Sequence, residues 1–198
     1  MSMKYKLDLL VKKNKGYLKT SDAVKAGISR AYLGDYVRKN GLERVANGLY
    51  KSADYWDDEF HVIQTRYPSG IFSHETALYL LGFAEREPLR YSISLPYGSN
   101  ATVLLREGVK VFKVKRELFT VGLTEATTPA GHTVRVYNVE RTICDLVRSR
   151  QPVDRQALQA AVRDYMRSKE KNIPLLMRYA KMFSVEKIIH RYVEVLLS

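Results

Sequence analysis

Residues 16–52, GYLKTSDAVKAGISRAYLGDYVRKNGLERVANGLYKS, decide the fold of the N-terminal part of the chain. The Thr-Ser-Asp run at 20–22 favours a helix start, and Ser29 is a second N-cap that opens a helix closed by Gly41. The pair Asn47-Gly48 lies between two strand-like segments and is typical of a hairpin turn. Short strand, two helices and two-stranded ribbon together predict a winged helix-turn-helix.

The second helix of this motif and the ribbon carry the predicted DNA contacts. Leu33 and Val37 lie four residues apart on the core face, so the other side chains of the helix are expected mostly outside. Arg30 lies in the first turn, the end that a recognition helix presents to base edges in the major groove. The predicted DNA-binding residues are Ser29, Arg30, Tyr32, Tyr36, Arg38 and Lys39 on the helix and Arg44, Asn47 and Lys51 on the ribbon. The alternative interpretation is a basic solvated helix without a ligand.

The distribution of charge supports nucleic-acid binding at this end of the chain. The 198 residues carry a formal net charge of +12. Residues 1–52 hold 12 Lys and Arg against 4 Asp and Glu, residues 53–150 hold 12 against 12, and residues 151–198 hold 9 against 5. A basic excess favours a polyanionic partner. The excess in the C-terminal helices is compatible with flanking DNA, RNA, a protein surface or simple solvation.

Cysteine content and hydropathy predict the compartment. Cys144 is the only cysteine, so no disulfide can form within the chain, and a reducing cytoplasm is the expected location. The sequence has no apolar run of the roughly 18–20 residues needed to span a bilayer. The N-terminal apolar stretch is broken by Asp8 and does not predict a signal peptide. We expect a soluble protein without membrane association.

The composition changes at Ala53, where we place a domain boundary. Residues 1–52 are predicted to form the winged helix-turn-helix, and residues 53–198 a larger α+β domain. Acidic residues at 54–59 are expected in the first turn of a helix ending near Arg66, since carboxylates stabilise that end.

The C-terminal domain is predicted to combine a sheet with helices. Residues 71–82 indicate a helix with Ser73 as its N-cap. A period of two between residues 91 and 137, with weak candidates at 118–121 and around Leu123, predicts a mixed or antiparallel sheet of four or five strands. Helices follow, one capped by Asn138 and another by Asp154 after a break at Pro152.

Three motifs in order resemble the AbiEi family, the antitoxins of bacterial abortive-infection toxin–antitoxin pairs. Residues 42–50, LERVANGLY, resemble that family's R-V-x-x-G-v-Y wing. Residues 72–82, FSHETALYLLG, are similar to its S-H-x-(S/T)-A-x-x-L-x-G helix start. Residues 138–146, NVERTICDL, are close to its E-R-T-(I/L)-x-D-(L/M) element. The resemblance covers the chain up to about residue 150.

The resemblance implies a two-part function. Proteins of this family repress their own operon through an N-terminal winged helix that binds inverted repeats in double-stranded DNA. Their C-terminal domain counteracts a nucleotidyltransferase-like toxin, in type IV systems without a stable complex. Dimerisation on DNA would follow from the inverted repeat. The alternative is a winged-helix transcription factor, or a nucleic-acid- or protein-binding module, unrelated to a toxin.

Catalysis, a cofactor and a metal ion are not expected. The four histidines at 61, 74, 132 and 190 are far apart in sequence and lack metal-ligand spacing. Capping explains Ser73 beside His74 better than a catalytic triad does, and Cys144 is expected to be a buried structural residue. Arg141 and Asp145 lie four apart and predict a pair on a helix surface, more easily structural than a toxin-antagonising surface.

Overall fold

The structure, a computed structural model, describes residues 1–149 and 155–197. Within these residues it has eleven helices and two sheets, which confirms the predicted α+β class. The chain divides into two compact units, residues 1–68 with 127–134, and residues 69–126 with 135–198.

The first unit has the element order of a winged helix-turn-helix. Its helices and strands are α1 (Met3–Lys13), β1 (Tyr17–Lys19), α2 (Thr20–Lys25), α3 (Arg30–Lys39), β2 (Glu43–Ala46), β3 (Leu49–Lys51) and α4 (Glu59–Arg66). The three strands form an antiparallel sheet of order β1-β3-β2. The strand–helix–helix–ribbon order predicted from the sequence is therefore confirmed.

A small apolar core holds the three helices and the sheet together. It consists of the buried side chains Leu7, Leu18, Ala23, Ile28, Leu33, Tyr36 and Leu42. The wing turns at Gly48, whose φ of +69° is a left-handed conformation that glycine adopts without steric cost. The predicted hairpin turn is thus where the Asn-Gly pair placed it.

The first unit continues beyond the predicted boundary at residue 52. Tyr55 packs so closely on Gly16 that a Cβ there would meet the ring at 2.4 Å. Asp58 caps α4 by accepting a hydrogen bond from the His61 amide at 3.0 Å, so the acidic run opens a helix as predicted. A self-standing domain of residues 1–52 stays a prediction, because α4 lies in the same compact unit.

The second unit places a sheet beside helices. Its strands are β4 (Ile71–Phe72), β5 (Ser92–Pro96), β6 (Lys110–Val114), β7 (Leu123–Thr127) and β8 (Thr133–Tyr137), although the turn at residues 127–134 packs in the first unit. Its helices are α5 (His74–Leu80), α6 (Thr102–Arg106), α7 (Arg116–Phe119), α8 (Val139–Arg148), α9 (Arg155–Arg167), α10 (Ile173–Met182) and α11 (Glu186–Leu197). No helix in the described ranges combines the length and apolar character needed to cross a membrane.

The five strands form a mixed sheet of order β6-β5-β4-β8-β7, which confirms the predicted sheet type. Four of them lie within residues 91–137, where strands were predicted, and the fifth, β4, was not expected. β4 pairs antiparallel with β5 and parallel with β8, and β5 pairs parallel with β6. Helix α8 packs against α5, α9 and α10, and the main apolar core of the unit lies among these helices.

The helix predicted within residues 71–82 begins at His74, directly after the predicted N-cap Ser73, but the two residues at the start of the stretch are not helical. Ile71 and Phe72 form the short central strand β4, because two neighbouring strands supply hydrogen bonds on both sides. Ser73 precedes the first helical residue, as an N-cap does, but its side chain makes no capping hydrogen bond among the described residues. Its Oγ instead accepts a hydrogen bond from Ser94 Oγ at 2.9 Å.

Other local predictions have mixed outcomes. Residues 118–121 are not a strand, since the short helix α7 ends at Phe119 and a turn follows. Asn138 caps α8 as predicted, accepting from the Arg141 amide at 3.0 Å. The expectations for Pro152 and Asp154 lie outside the described residues.

Candidate nucleic-acid interface

The first turn of α3 is fixed by its cap. Ser29 Oγ accepts a hydrogen bond from the Tyr32 amide at 3.2 Å, which satisfies one of the free N–H groups at the helix start. Arg30, the first helical residue, is exposed, and Tyr32 is 37 % exposed. These three residues therefore present donors and an aromatic ring to solvent at the end of the helix that enters a major groove in this class of fold.

Cations continue along the outer face of α3. Arg38 and Lys39 are both exposed, and they lie in the last turn, where positive charge also stabilises the helix. Arg38 forms an ion pair with Asp35, with side chains 79 % and 54 % exposed. Such an exposed pair is weak, so the Arg38 guanidinium remains free to exchange Asp35 for a phosphate.

The wing carries an ordered polar tip. Arg44 Nη2 donates to Asn47 Oδ1 at 3.0 Å, and both residues are exposed. The hydrogen bond spans the hairpin turn and holds the guanidinium against the tip. Both residues lie on the ribbon and are exposed, and their contact with DNA stays a prediction.

Tyr36 does not lie on the outer face, so that prediction is wrong. Its side chain is 7 % exposed and belongs to the core, because residue 36 falls between Leu33 and Val37 on the inner side of the helix. Its hydroxyl donates to Asp8 Oδ1 at 2.6 Å, joining α3 to α1. Burial, together with this hydrogen bond, raises the pKa of the Tyr36 hydroxyl.

Lys51 is also buried, contrary to the predicted phosphate contact. It is 7 % exposed, and its Nζ pairs with Asp57 Oδ1 at 2.7 Å. The hydrogen bond to Asp57 raises the pKa of the Lys51 ammonium. The segment that follows the wing supplies the Asp57 carboxylate, which compensates the charge of Lys51.

A buried polar cluster next to the C-terminal end of α1 was not visible in the sequence. Asp58 Oδ2 accepts hydrogen bonds from Thr128 Oγ1 at 2.5 Å and from His132 Nδ1 at 2.6 Å. His132 Nε2 lies 3.1 Å from the carbonyl oxygen of Asn14, which can only accept. The imidazole of His132 therefore links the end of α1 to the start of α4. Asp58 and His132 are 74 positions apart in the sequence, and no local motif signals their contact.

His61 and His132 stack within the same cluster. Their ring centroids are 4.1 Å apart, although the sequence separates them widely. Burial, with the charges of His132 and Lys19, lowers the pKa of His61 from 6.5 to about 4. His61 is therefore neutral in the folded protein at pH 7.

Acid is expected to destabilise the protein through His61. Between pH 6.5 and about 4 the folded state binds fewer protons than the unfolded chain at this residue. Its contribution to the free energy of unfolding is therefore fully present above pH 6.5 and falls as the pH is lowered through that window. Urea unfolding followed by circular dichroism at pH 7.5 and 5.0 measures the loss. His61→Gln should show a smaller loss than the parent, and an equal loss in both would contradict this assignment.

The third sequence motif, residues 138–146, has a structural role in the second unit. Arg141 and Asp145 are 0 % and 1 % exposed and pair at 2.7 Å, so the predicted surface pair is wrong in its location. Arg141 Nη1 also donates to the carbonyl oxygens of Leu118 and Val121. The guanidinium lies 4.2 Å and 4.0 Å from the ring centroids of Tyr137 and Phe183. Arg141 therefore fastens α8 to α7 and to the segment that follows it.

No metal centre is apparent in residues 1–149 and 155–197, where no three His, Cys, Asp or Glu side chains are placed to hold an ion. Cys144 is buried, as predicted. Burial raises the pKa of its thiol to about 12. It is therefore a thiol rather than a reactive thiolate at neutral pH.

The first unit defines a winged helix-turn-helix, a class of domain that binds DNA. Residues 5–52 match a protein family described as "Transcriptional regulator, AbiEi antitoxin". This match covers the N-terminal part of the chain and agrees with the resemblance of the wing motif, residues 42–50, to that family. The family's description is that of a transcriptional regulator.

A similar fold occurs in a solved structure. The crystal structure of the RV2827C protein from Mycobacterium tuberculosis aligns with a TM-score of 0.59 and 15 % sequence identity, over 88 % of this chain and 69 % of that chain. At this identity the likeness concerns the fold alone. Comparison with curated protein sequences finds no match.

Proposed function

We propose that the protein is a cytoplasmic autorepressor and antitoxin that binds inverted repeats upstream of its own operon. The main support for DNA binding is the exposed, capped start of α3 in a winged helix-turn-helix. Ser29, Arg30 and Tyr32 face solvent there. The family description of residues 5–52 supports the regulatory role.

In the proposed complex, α3 enters the major groove and the wing follows the backbone. Arg30 is placed to bond a guanine edge with two N–H groups, and Tyr32 to reach a phosphate or a thymine methyl. Arg38, Lys39 and Arg44 contact phosphates. Two protomers would occupy half-sites about one helical turn apart, or a multiple of it, dimerising on the DNA. Tyr36 and Lys51 are left out of this interface, because both are buried and paired.

A phosphate contact at Lys39 predicts a uniform loss of affinity. Lys39→Ala should weaken binding to operator and scrambled DNA alike, and should lower the slope of log K against log salt by about one. Titrations at several salt concentrations measure the slope. Lys169→Ala, an exposed lysine of the second unit, is the matched control and should leave the slope unchanged. An unchanged slope in Lys39→Ala would remove Lys39 from the interface.

The antitoxin half rests on the family alone. We propose that the chain counteracts a nucleotidyltransferase-like toxin without forming a stable complex with it. The full-length protein should restore growth when expressed with the neighbouring toxin gene. An Arg30→Ala/Lys39→Ala variant separates the two activities, because it loses a base contact and a phosphate contact but keeps the second unit intact. If this variant restores growth, neutralisation of the toxin does not require DNA binding. If the unaltered protein fails to restore growth, the antitoxin role is contradicted.

A further inference from the structure

Two of the sequence motifs meet at a cavity in the second unit that the proposed function does not use. The cavity has a volume of about 280 Å³, near the lower end of small-molecule sites. His74 comes from the S-H-E-T-A motif and Asp145 from the E-R-T-I-C-D motif, and both line it. Lys113 of β6 and Arg148 of α8 complete its charged wall.

Positive charge is in excess around this cavity. Asp145 is the only carboxylate among the described lining residues, and it is already paired with Arg141 at 2.7 Å and with Arg148 at 3.0 Å. Lys113 donates to the carbonyl oxygen of Ser99 at 2.5 Å, a neutral partner that leaves its charge uncompensated. An ammonium has three N–H donors and a guanidinium five, so Lys113 and Arg148 both have donors to spare beyond these bonds.

His74 indicates that the cavity is a built site rather than a packing gap. Its φ of +51° is a left-handed conformation that is strained for histidine, and such strain concentrates at functional sites. Its ring stacks on Phe112 with centroids 3.5 Å apart. Burial, reinforced by the charges of Arg148 and Arg141, lowers the pKa of His74 to about 3. The imidazole is therefore neutral at pH 7 beneath a cationic wall.

We infer that this cavity binds the phosphate group of a small ligand, held by Lys113 and Arg148 over the His74–Phe112 stack. A tetrahedral dianion suits the two cations because a guanidinium binds phosphate oxygens in pairs and an ammonium adds a point charge. The hydroxyls of Ser94 and Tyr97 also line the cavity and offer further donors. The cavity belongs to the second unit, and the inference does not depend on the proposed repressor role.

Calorimetric titration of the full-length protein with inorganic phosphate, at constant ionic strength, tests the site. Phenyl phosphate, in a second titration, distinguishes a free phosphate ion from a phosphate monoester. The parent should bind at least one of the two. Lys113→Gln/Arg148→Gln should weaken binding at least tenfold, whereas Arg30→Gln/Lys39→Gln in the first unit should leave it unchanged.

The single variant Lys113→Gln distinguishes a loss of binding from a loss of folding. Within the described residues the lysine bonds only a backbone carbonyl, so its replacement removes no buried ion pair. This variant should fold, as judged by circular dichroism, and bind at least threefold more weakly. Absence of binding in the parent would overturn the proposal, as would equal affinity of the parent and the Lys113 variants. A loss of phosphate affinity only in Arg30→Gln/Lys39→Gln would assign phosphate binding to α3 and would also overturn the proposal.

Discussion

Arg141→Ala is expected to lower the free energy of unfolding by about 3–5 kcal/mol, since it removes one partner of a buried ion pair. Asp145 is 1 % exposed, and burial already raises the pKa of its carboxyl against the opposing charges of Arg141 and Arg148. Without Arg141 the carboxyl would lose its closest cation. The carbonyl oxygens of Leu118 and Val121 would lose a shared donor as well.

Urea unfolding monitored by circular dichroism measures this loss. Arg106→Ala is the matched control, because Arg106 is exposed on α6 and its removal should change stability by no more than about 0.5 kcal/mol. A change below about 1 kcal/mol in Arg141→Ala would contradict the structural role of the third motif. It would then favour a role for this residue in toxin antagonism.

Arg30→Ala is expected to weaken binding to the operator by about 1–3 kcal/mol, roughly 5- to 150-fold. A base contact is lost only with the correct sequence, so binding to scrambled DNA should change far less. Fluorescence anisotropy with both DNAs separates the two effects. An operator affinity equal to that of the parent would show that α3 does not present Arg30 to a base.

Tyr36→Phe provides a matched control on the same helix. The ring stays in the core and only the hydrogen bond to Asp8 is lost, so the affinity for DNA should be unchanged. A loss of operator affinity in this variant, with stability unchanged, would return Tyr36 to the interface.

The winged helix was predictable because its signals are local. Ser29, Gly41 and the Asn47-Gly48 pair each act within a few residues through a cap or a turn, and their order alone defines the motif. The exposed positions of Arg30 and Lys39 followed from the same helical periodicity. Tyr36 was misplaced because residues 33, 36 and 37 share one helix face, and an aromatic hydroxyl was assigned to solvent although Asp8 accepts its hydrogen bond.

The errors elsewhere arise from contacts that are distant in sequence. Ile71 and Phe72 have too short a run to predict a strand, and they form one because β5 and β8 flank them in the sheet. Lys51 was assigned to the surface although its partner Asp57 lies in the segment that follows the wing. The Asp58–His132 contact joins segments whose individual patterns predict only a helix cap and a turn.

Specific DNA recognition is tested most directly by the affinity of the full-length protein for DNA from upstream of its own gene. Fluorescence anisotropy would compare this DNA with a scrambled sequence at two salt concentrations. Specific recognition by α3 and the wing predicts discrimination of about a thousandfold or more. Equal binding to both sequences, lost alike as salt is raised, would mean that the basic N-terminal unit is only a cationic surface and would contradict the autorepressor.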